Sequence, residues 1–184
     1  DIKHKQYEKV RPKQETLLRD LQGANDPRER YHIYDELTKL FFNQIDEVPY
    51  IEKKIEIAIS LEERDAELDC YVDMCRNYNS YDNVDMVREY CDKVEKITGR
   101  KGRHWMLAKY YMIEVLYWNG NMRDAWNTLQ DLQLYASEVN DELVDALVAM
   151  LTSDIYSFLN QDEKAYDLIE KYFPVLSKQN EGCY

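Results

Sequence analysis

Residues 103–138, RHWMLAKYYMIEVLYWNGNMRDAWNTLQDLQLYASE, contain two apolar helical patterns that meet at a short turn. On both sides of the turn, apolar residues recur every three or four positions, which is the spacing of one helix face. Gly120 supplies the left-handed backbone that ends the first helix, and the small Ala125 allows the second helix to pack closely. The stretch therefore predicts a helical hairpin.

The same unit recurs along residues 28–178. We predict four hairpins, at residues 28–63, 65–98, 103–139 and 142–176. The close-packing positions of the second helices are Ile51, Val87, Ala125 and Ala165, at intervals of 36, 38 and 40 residues. A period of this length indicates stacked helix pairs.

Residues 1–27 predict a helix that caps the first hairpin, because the segment has no partner helix of its own. Pro12 either kinks this helix or begins a second one at its first turn. Asp26 and Pro27 form a start signal for the next helix, with aspartate as the cap and proline in the first turn. Residues 179–184 are expected to be a tail that leads toward the remainder of a longer polypeptide.

The composition favours an all-α fold. Only 5 glycines and 4 prolines occur in 184 residues, which leaves little material for the frequent turns of a sandwich or barrel. The hydrophobic content of 45% is enough for a sizeable core. We therefore predict a right-handed superhelix, an α-solenoid built from antiparallel helix pairs.

The charge and the motifs exclude several functions. A net charge of −12 argues against nucleic acid as a partner, because a binder needs lysine and arginine to displace phosphate counterions. The three histidines are scattered, and no sequence motif indicates a nucleophile, a phosphate loop or a metal site. We expect no catalytic activity, no cofactor and no metal in this chain.

Acidic pairs occur where helices are predicted to begin or end. Asp46-Glu47 and Glu62-Glu63 are examples. Acids at such positions ordinarily favour the helix dipole or face water. We expect these carboxylates to be solvated.

The chain contains four cysteines: Cys70, Cys75, Cys91 and Cys183. Cys75 and Cys91 lie equally far from a predicted turn at Asn83, so antiparallel helices would bring them opposite each other. The sequence leaves two alternatives open, a pair of buried free thiols or a disulfide between Cys75 and Cys91.

A mixed polar and aromatic face runs along the first helices of the four hairpins, beside the buried stripe. In a solenoid this face lines the concave surface, and we predict that it binds a protein or peptide. Its candidate ligand-binding residues, called the first-helix face below, are Lys39, Phe42, Arg76, Asn79, Tyr110, Glu114, Tyr117, Trp118, Asp154 and Phe158.

Two parts of this face carry specific hypotheses. Tyr110, Glu114, Tyr117 and Trp118 lie on one side of a helix over two turns and are predicted to hold a peptide. The alternative is that Tyr117 and Trp118 pack under the neighbouring hairpin. Lys39 and Arg76 clamp a ligand carboxylate or else form ion pairs within their own helices.

The repeated positions resemble a degenerate tetratricopeptide repeat over residues 28–176. The small residue midway along the first helix is matched by Thr38, Cys75 and Ser153, whereas the third unit has Ile113. The aromatic residue near its end is matched by Phe41, Tyr78 and Tyr156, whereas the third unit has Leu116. The turn glycine occurs as Gly120 and the following alanine as Ala125 and Ala165, while the loop proline of the family is absent.

The chain also resembles, in its general style, the tetratricopeptide sensor regions of bacterial membrane-anchored regulators and two-component receptors. This resemblance implies a domain on the periplasmic side of a membrane. The membrane span and a kinase or DNA-binding output would then lie in missing segments, because the chain begins with Asp1 and has no apolar run of membrane length. The alternative is a cytoplasmic adaptor or assembly scaffold, in which the exposed ends form a homodimer.

Overall fold

The computed structural model describes the backbone of residues 2–180, with the side chains of residues 9–177 other than Leu143 and Leu176. Its helices are α1 (Ile2–Gly23), α2 (Pro27–Leu40), a short 3-10 helix (Ile45–Glu47), α3 (Val48–Ser60), α4 (Arg64–Asn79), α5 (Val84–Thr98), α6 (Gly102–Trp118), α7 (Met122–Val139), α8 (Glu142–Phe158) and α9 (Asp162–Asn180). Within residues 2–180 there are no strands. The all-α prediction is confirmed.

Side-chain caps and prolines explain where several helices begin. The Asp26 carboxylate accepts a hydrogen bond from the Arg28 backbone N–H at 3.1 Å, and Pro27 follows in the first turn of α2. Asn83 caps α5 in the same way. Pro12, in contrast, lies inside one continuous α1, so it does not begin a second helix.

One turn geometry recurs at four points in the chain. In each turn a backbone N–H donates to the carbonyl five residues earlier: Glu63 to Ala58, Asn83 to Tyr78, Asn121 to Leu116 and Gln161 to Tyr156, at 2.8–3.1 Å. The residue before each donor has a left-handed φ: 56° at Glu62, 54° at Asp82, 78° at Gly120 and 57° at Asn160. This is the geometry that closes a helix with a left-handed residue. The role predicted for Gly120 is confirmed, and other residues fill it elsewhere.

The helices contact one another in chain order, from α1 against α2 to α8 against α9. In addition, α4 contacts α6, and α6 contacts α8. The predicted close-packing positions are all buried, with exposures of 0% at Ile51, Val87 and Ala125 and 5% at Ala165. The first helices of the last three pairs, α4, α6 and α8, therefore lie side by side.

Most buried apolar side chains of the described residues fall into two clusters. The larger one extends from α3 to α8 and contains Trp105, which is 2% exposed. The smaller one contains Ala24, Ile33, Tyr34 and Leu37, with Leu17 and Leu21 of α1 packed against it. α1 therefore covers the outer side of the first hairpin.

The last helix extends the predicted boundary slightly. α9 continues to Asn180 with Pro174 inside it, so residues 179 and 180 of the predicted tail are helical. Residues 181–184 and their Cys183 lie outside the described residues. None of the helices between Ile2 and Asn180 is long and apolar enough to cross a membrane.

Candidate functional site

Each first helix carries one charged residue at an equivalent position of the repeat. The charged residue directly follows the position aligned midway along the helix (Thr38, Cys75, Ile113 and Ser153), and the four are Lys39, Arg76, Glu114 and Asp154. The first two are cations and the last two are acids. The charge on the first-helix face is therefore divided, with the acids on α6 and α8.

The two cations are already neutralised by acids of the chain. Lys39 lies 3.0 Å from Asp35 and 2.8 Å from Glu36, both on its own helix. Nη2 of Arg76 lies 2.6 Å from Oε1 of Glu47. Of the two alternatives for Lys39 and Arg76, the structure contains the ion pairs, and for Arg76 the closer partner is outside its own helix.

Arg76 also packs on an exposed aromatic ring. Its guanidinium carbon lies 4.1 Å from the centroid of the Phe42 ring, which is 59% exposed. The same guanidinium is 3.4 Å from Asp73 and hydrogen-bonds to Asn43. Two carboxylates and an aromatic face form a favourable environment for a planar cation, and here the guanidinium of Arg76 occupies it.

Glu47 corrects the expectation that the acids near helix ends are solvated. This residue is only 1% exposed, whereas the neighbouring Asp46 faces solvent as expected. Besides Arg76, Glu47 accepts hydrogen bonds from the Asn43 backbone N–H at 2.8 Å and from Asn77 Nδ2 at 2.9 Å. The expectation was wrong for Glu47 because partners from another helix, which spacing along the chain does not reveal, replace water.

Lys54 is a second buried charge that the sequence analysis missed. It is 4% exposed, and its Nζ lies 2.6 Å from Asp35 and 3.8 Å from Asp73. Its position between Ile51 and Ala58 on the buried stripe of α3 was a signal that could have found it. The charged groups in the α2–α4 part of the face are therefore paired with one another by ion pairs within the chain.

The α6 part of the face is held by hydrogen bonds from neutral groups. Glu114 accepts from the hydroxyl of Tyr110 at 2.8 Å and from Nδ2 of Asn79 at 2.9 Å. The Asn79 amide oxygen is buried and has no hydrogen-bond partner within the described part of the chain. Burial raises the pKa of Glu114 despite these two hydrogen bonds, with a further contribution from the negative charge of Asp154.

Asp154 differs from the other acids of the face. It is half-buried on α8, and no hydrogen bond or ion pair to it occurs among the described residues. Burial raises the pKa of its carboxyl group. Its charge also acts on Tyr117, whose pKa is raised to about 12 by burial, then by Asp154 and Glu114. Tyr117 is thus a neutral phenol between two carboxylates.

An aromatic group borders these acids. The Tyr117 ring centroid lies 5.0 Å from that of Trp118 and 6.3 Å from that of Phe158 on α8. Tyr117 is 5% exposed, but Trp118 is 64% and Phe158 is 48% exposed. The structure therefore separates Tyr117 from Trp118. Tyr117 packs into the core, whereas the Trp118 ring remains on the surface.

The predicted thiol pair is buried as expected. Cys75 and Cys91 are free in the structure, as is Cys70. The charge of Cys91 influences the pKa of Cys75, so the two thiols are neighbours across α4 and α5. The disulfide between them stays a prediction.

Other features do not add to the face. A groove of about 560 Å³ lies between α7, α8 and α9, and none of its lining residues belongs to the first-helix face. No group of three or more His, Cys, Asp or Glu side chains within the described residues is placed to hold a metal ion.

Comparison with known proteins identifies no family model that matches this chain. No curated protein matches it either.

Proposed function

We propose that this chain is a non-catalytic helical repeat of tetratricopeptide type that binds a protein or peptide on its first-helix face. Support for the solenoid comes from the chain-order packing, the direct contacts of α4 with α6 and α6 with α8, and the recurring turn. In such an arrangement the first helices line the concave side of a right-handed superhelix.

The observation that carries the proposal is the exposure of three large aromatic rings on this one face. Phe42, Trp118 and Phe158 are 59%, 64% and 48% exposed, and each lies beside a polar group of the face. Two of these rings, Trp118 and Phe158, pack against the same residue, Tyr117, and contiguous exposed apolar groups of this kind often mark an interaction site. Aromatic side chains are also the commonest energetic anchors of protein interfaces.

The test uses a peptide selected from a random display library against the immobilised protein. Its affinity is then measured by fluorescence anisotropy for the parent chain and for Trp118→Ala. We expect Trp118→Ala to weaken binding by about 2 kcal/mol, the size of an interface hot spot. Unchanged helicity and melting temperature would show that the ring is not needed for folding.

Tyr166 provides the matched control. Its exposure of 66% is close to the 64% of Trp118, but it lies on α9, away from the first-helix face. Tyr166→Ala should leave the affinity unchanged. Equal losses in both variants would contradict the placement of the ligand on the first-helix face.

A second candidate function is assembly through α9. Tyr166 and Phe173 are 66% and 61% exposed and lie seven residues apart, on one side of this helix. This apolar side supports the scaffold alternative, in which two copies meet through their last helices. Phe173→Glu should then shift the sedimentation coefficient from dimer to monomer, whereas a monomeric parent chain would contradict it.

The sensor region of a bacterial receptor stays a prediction that is supported only by resemblance. Its periplasmic placement is tested by protease accessibility of the full-length gene product in spheroplasts. Protection of this region from external protease would favour the cytoplasmic alternative.

A further inference from the structure

The two acids at the α6–α8 end of the first-helix face lack a cationic partner. Neither Glu114 nor Asp154 forms an ion pair with any described lysine, arginine or histidine. Half-buried carboxylates without a counterion are costly, because burial removes water without supplying a compensating charge. Their environment is therefore complementary to a cation.

The surrounding groups are complementary to a flat cation in particular. The exposed rings of Trp118 and Phe158 both pack against Tyr117. Trp118 follows Glu114 by one helical turn on α6, and Phe158 follows Asp154 by one turn on α8, so each ring lies beside an acid of its own helix. Guanidinium groups stack on aromatic faces and donate to carboxylates in a fork, whereas an ammonium group acts as a point charge. The buried and unpaired amide oxygen of Asn79, whose amide nitrogen contacts Glu114, is one more acceptor at this place.

The chain itself contains a filled example of the same arrangement. At the α2–α4 end, the guanidinium of Arg76 stacks on the exposed Phe42 ring and pairs with the carboxylates of Glu47 and Asp73. At the α6–α8 end, each of two carboxylates is followed one turn later by an exposed aromatic ring that packs on Tyr117, and the position equivalent to Arg76 is Glu114. The second arrangement has every component except the arginine.

From this charge complementarity we propose that the α6–α8 end of the first-helix face binds an arginine side chain of a partner peptide, between the carboxylates of Glu114 and Asp154 and the rings of Trp118 and Phe158. The inference rests on the proposed function, since it names the chemistry of the peptide that the face binds. The net charge of −12 favours the approach of a basic segment from a distance.

The test is a positional-scanning library of acetylated hexapeptides, in which one position is fixed as each amino acid in turn and the others are mixtures. Binding is measured to the parent chain and to the double variant Glu114→Gln/Asp154→Asn. We expect pools with fixed arginine to bind the parent chain best, ahead of lysine and of the neutral isostere citrulline. In the double variant their affinity should fall about tenfold or more, because two charge-assisted hydrogen bonds are lost.

A matched variant controls for the loss of overall charge. Glu52→Gln/Glu138→Gln also removes two negative charges, from exposed positions on α3 and α7. It should keep the preference for arginine. Glu114→Gln/Asp154→Asn should fold, because it removes half-buried charges whose burial is unfavourable. Its melting curve verifies this.

The outcomes separate the two proposals. Peptide binding without a preference for arginine, or a preference that survives in Glu114→Gln/Asp154→Asn, would overturn the arginine site and leave the binding function standing. If Glu52→Gln/Glu138→Gln loses the preference for arginine to the same extent, the preference depends only on net charge. That result would also overturn the arginine site. Failure of every pool to bind the parent chain would overturn the binding function, and the arginine site with it.

Discussion

At the scale of single residues, Asp154 shows how a missing partner affects stability. Burial raises the pKa of its carboxyl group above the ordinary value of 3.8, so the folded chain holds this proton more tightly than the unfolded chain. By linkage, this group increases the free energy of unfolding as the pH falls from neutral through the folded pKa, and the increase ends near the unfolded pKa. At neutral pH its ionisation therefore opposes folding.

We predict that Asp154→Asn raises the free energy of unfolding at pH 7. The gain over the parent chain should shrink as the pH is lowered toward the ordinary carboxyl pKa of 3.8, because the raised pKa of Asp154 lets the folded chain take up this proton above that pH. Urea denaturation at a series of pH values measures this difference, and the exposed Asp167→Asn on α9 is the control. A gain that does not depend on pH would show that the charge of Asp154 is not its cause.

The buried thiols provide a second prediction for single residues. Burial raises the pKa of Cys70 and Cys91 to about 11 and that of Cys75 well above its usual value. Because the thiolate is the reactive form, alkylation in the native chain should be at least about a hundredfold slower than at an exposed cysteine. Peptide mapping by mass spectrometry measures the rate at each cysteine.

The same experiment tests the alternative of a disulfide. After denaturation without reductant, free Cys75 and Cys91 should both be alkylated, whereas a bridged pair should react only after reduction. A bridge would support an oxidising compartment and thus the receptor prediction. Rapid labelling of any of the three thiols in the native chain would contradict their burial.

At the scale of elements, the left-handed position of the recurring turn is occupied by residues that differ in the energetic cost of a positive φ. Glu62 has φ of 56° without the local hydrogen bonding that helps asparagine and aspartate there, while Gly120 has φ of 78°. Glu62→Gly should stabilise the chain by about 0.5–1 kcal/mol, because a strained conformation becomes a relaxed one.

Gly120→Ala is the opposite test, measured by the same denaturation midpoints. It should destabilise the chain by about 1–2 kcal/mol. A methyl group at Gly120 would meet no atom within 4 Å, so the cost comes from the backbone conformation and not from a clash. Stabilisation by Gly120→Ala would contradict the assigned turn geometry.

The segment between α2 and α3 is held by one buried carboxylate. Glu47→Ala removes the acceptor for Arg76, Asn43 and Asn77, and it leaves a mostly buried guanidinium with one fewer counterion. Loss of one partner of a buried ion pair costs about 3–5 kcal/mol. Guanidinium chloride denaturation should detect this loss.

The adjacent Asp46 provides a control for Glu47→Ala. Asp46 is exposed and one residue away, so Asp46→Ala should change the free energy of unfolding by about 0.5 kcal/mol or less. Equal effects of the two substitutions would show that Glu47 does not fix this segment.

At the scale of the whole molecule, stability should be distributed along the chain. The helices contact mainly their neighbours, and the smaller cluster around Leu37 has its own buried residues, although α3 also contributes Val48 and Ile51 to the larger one. Leu37→Ala removes a fully buried side chain of the smaller cluster. We predict that it increases amide hydrogen exchange in α1–α3 and leaves α6–α8 protected, as measured by mass spectrometry. Uniform loss of protection would indicate one cooperative unit instead.

The periodic features of the fold could be predicted because they depend on residues close in sequence. The hairpin around Gly120, the capping of α2 by Asp26 and the burial of Ala125 all follow from spacing and from local backbone preferences. The left-handed conformation of Glu62, between α3 and α4, was missed, because a glycine pattern cannot reveal a conformation that other residues adopt under tertiary constraint.

The candidate site was predicted only as a set of positions. Helical spacing placed Arg76, Glu114 and Asp154 on one face, but it could not indicate which of these charges would be paired. Arg76 is neutralised from a segment 29 residues away, at Glu47, whereas Asp154 has no partner among the described residues. Pairing across such a separation depends on how helices pack.

The sequence by itself determined the all-helical fold and the turn at Gly120, because both arise from hydrogen bonds and apolar spacing within a few residues. Only the tertiary structure decided which charges are satisfied, that Tyr117 is buried and that Trp118 is exposed. These properties depend on burial and on partners from other helices, and the free energy of a charge or an aromatic ring is set by those surroundings.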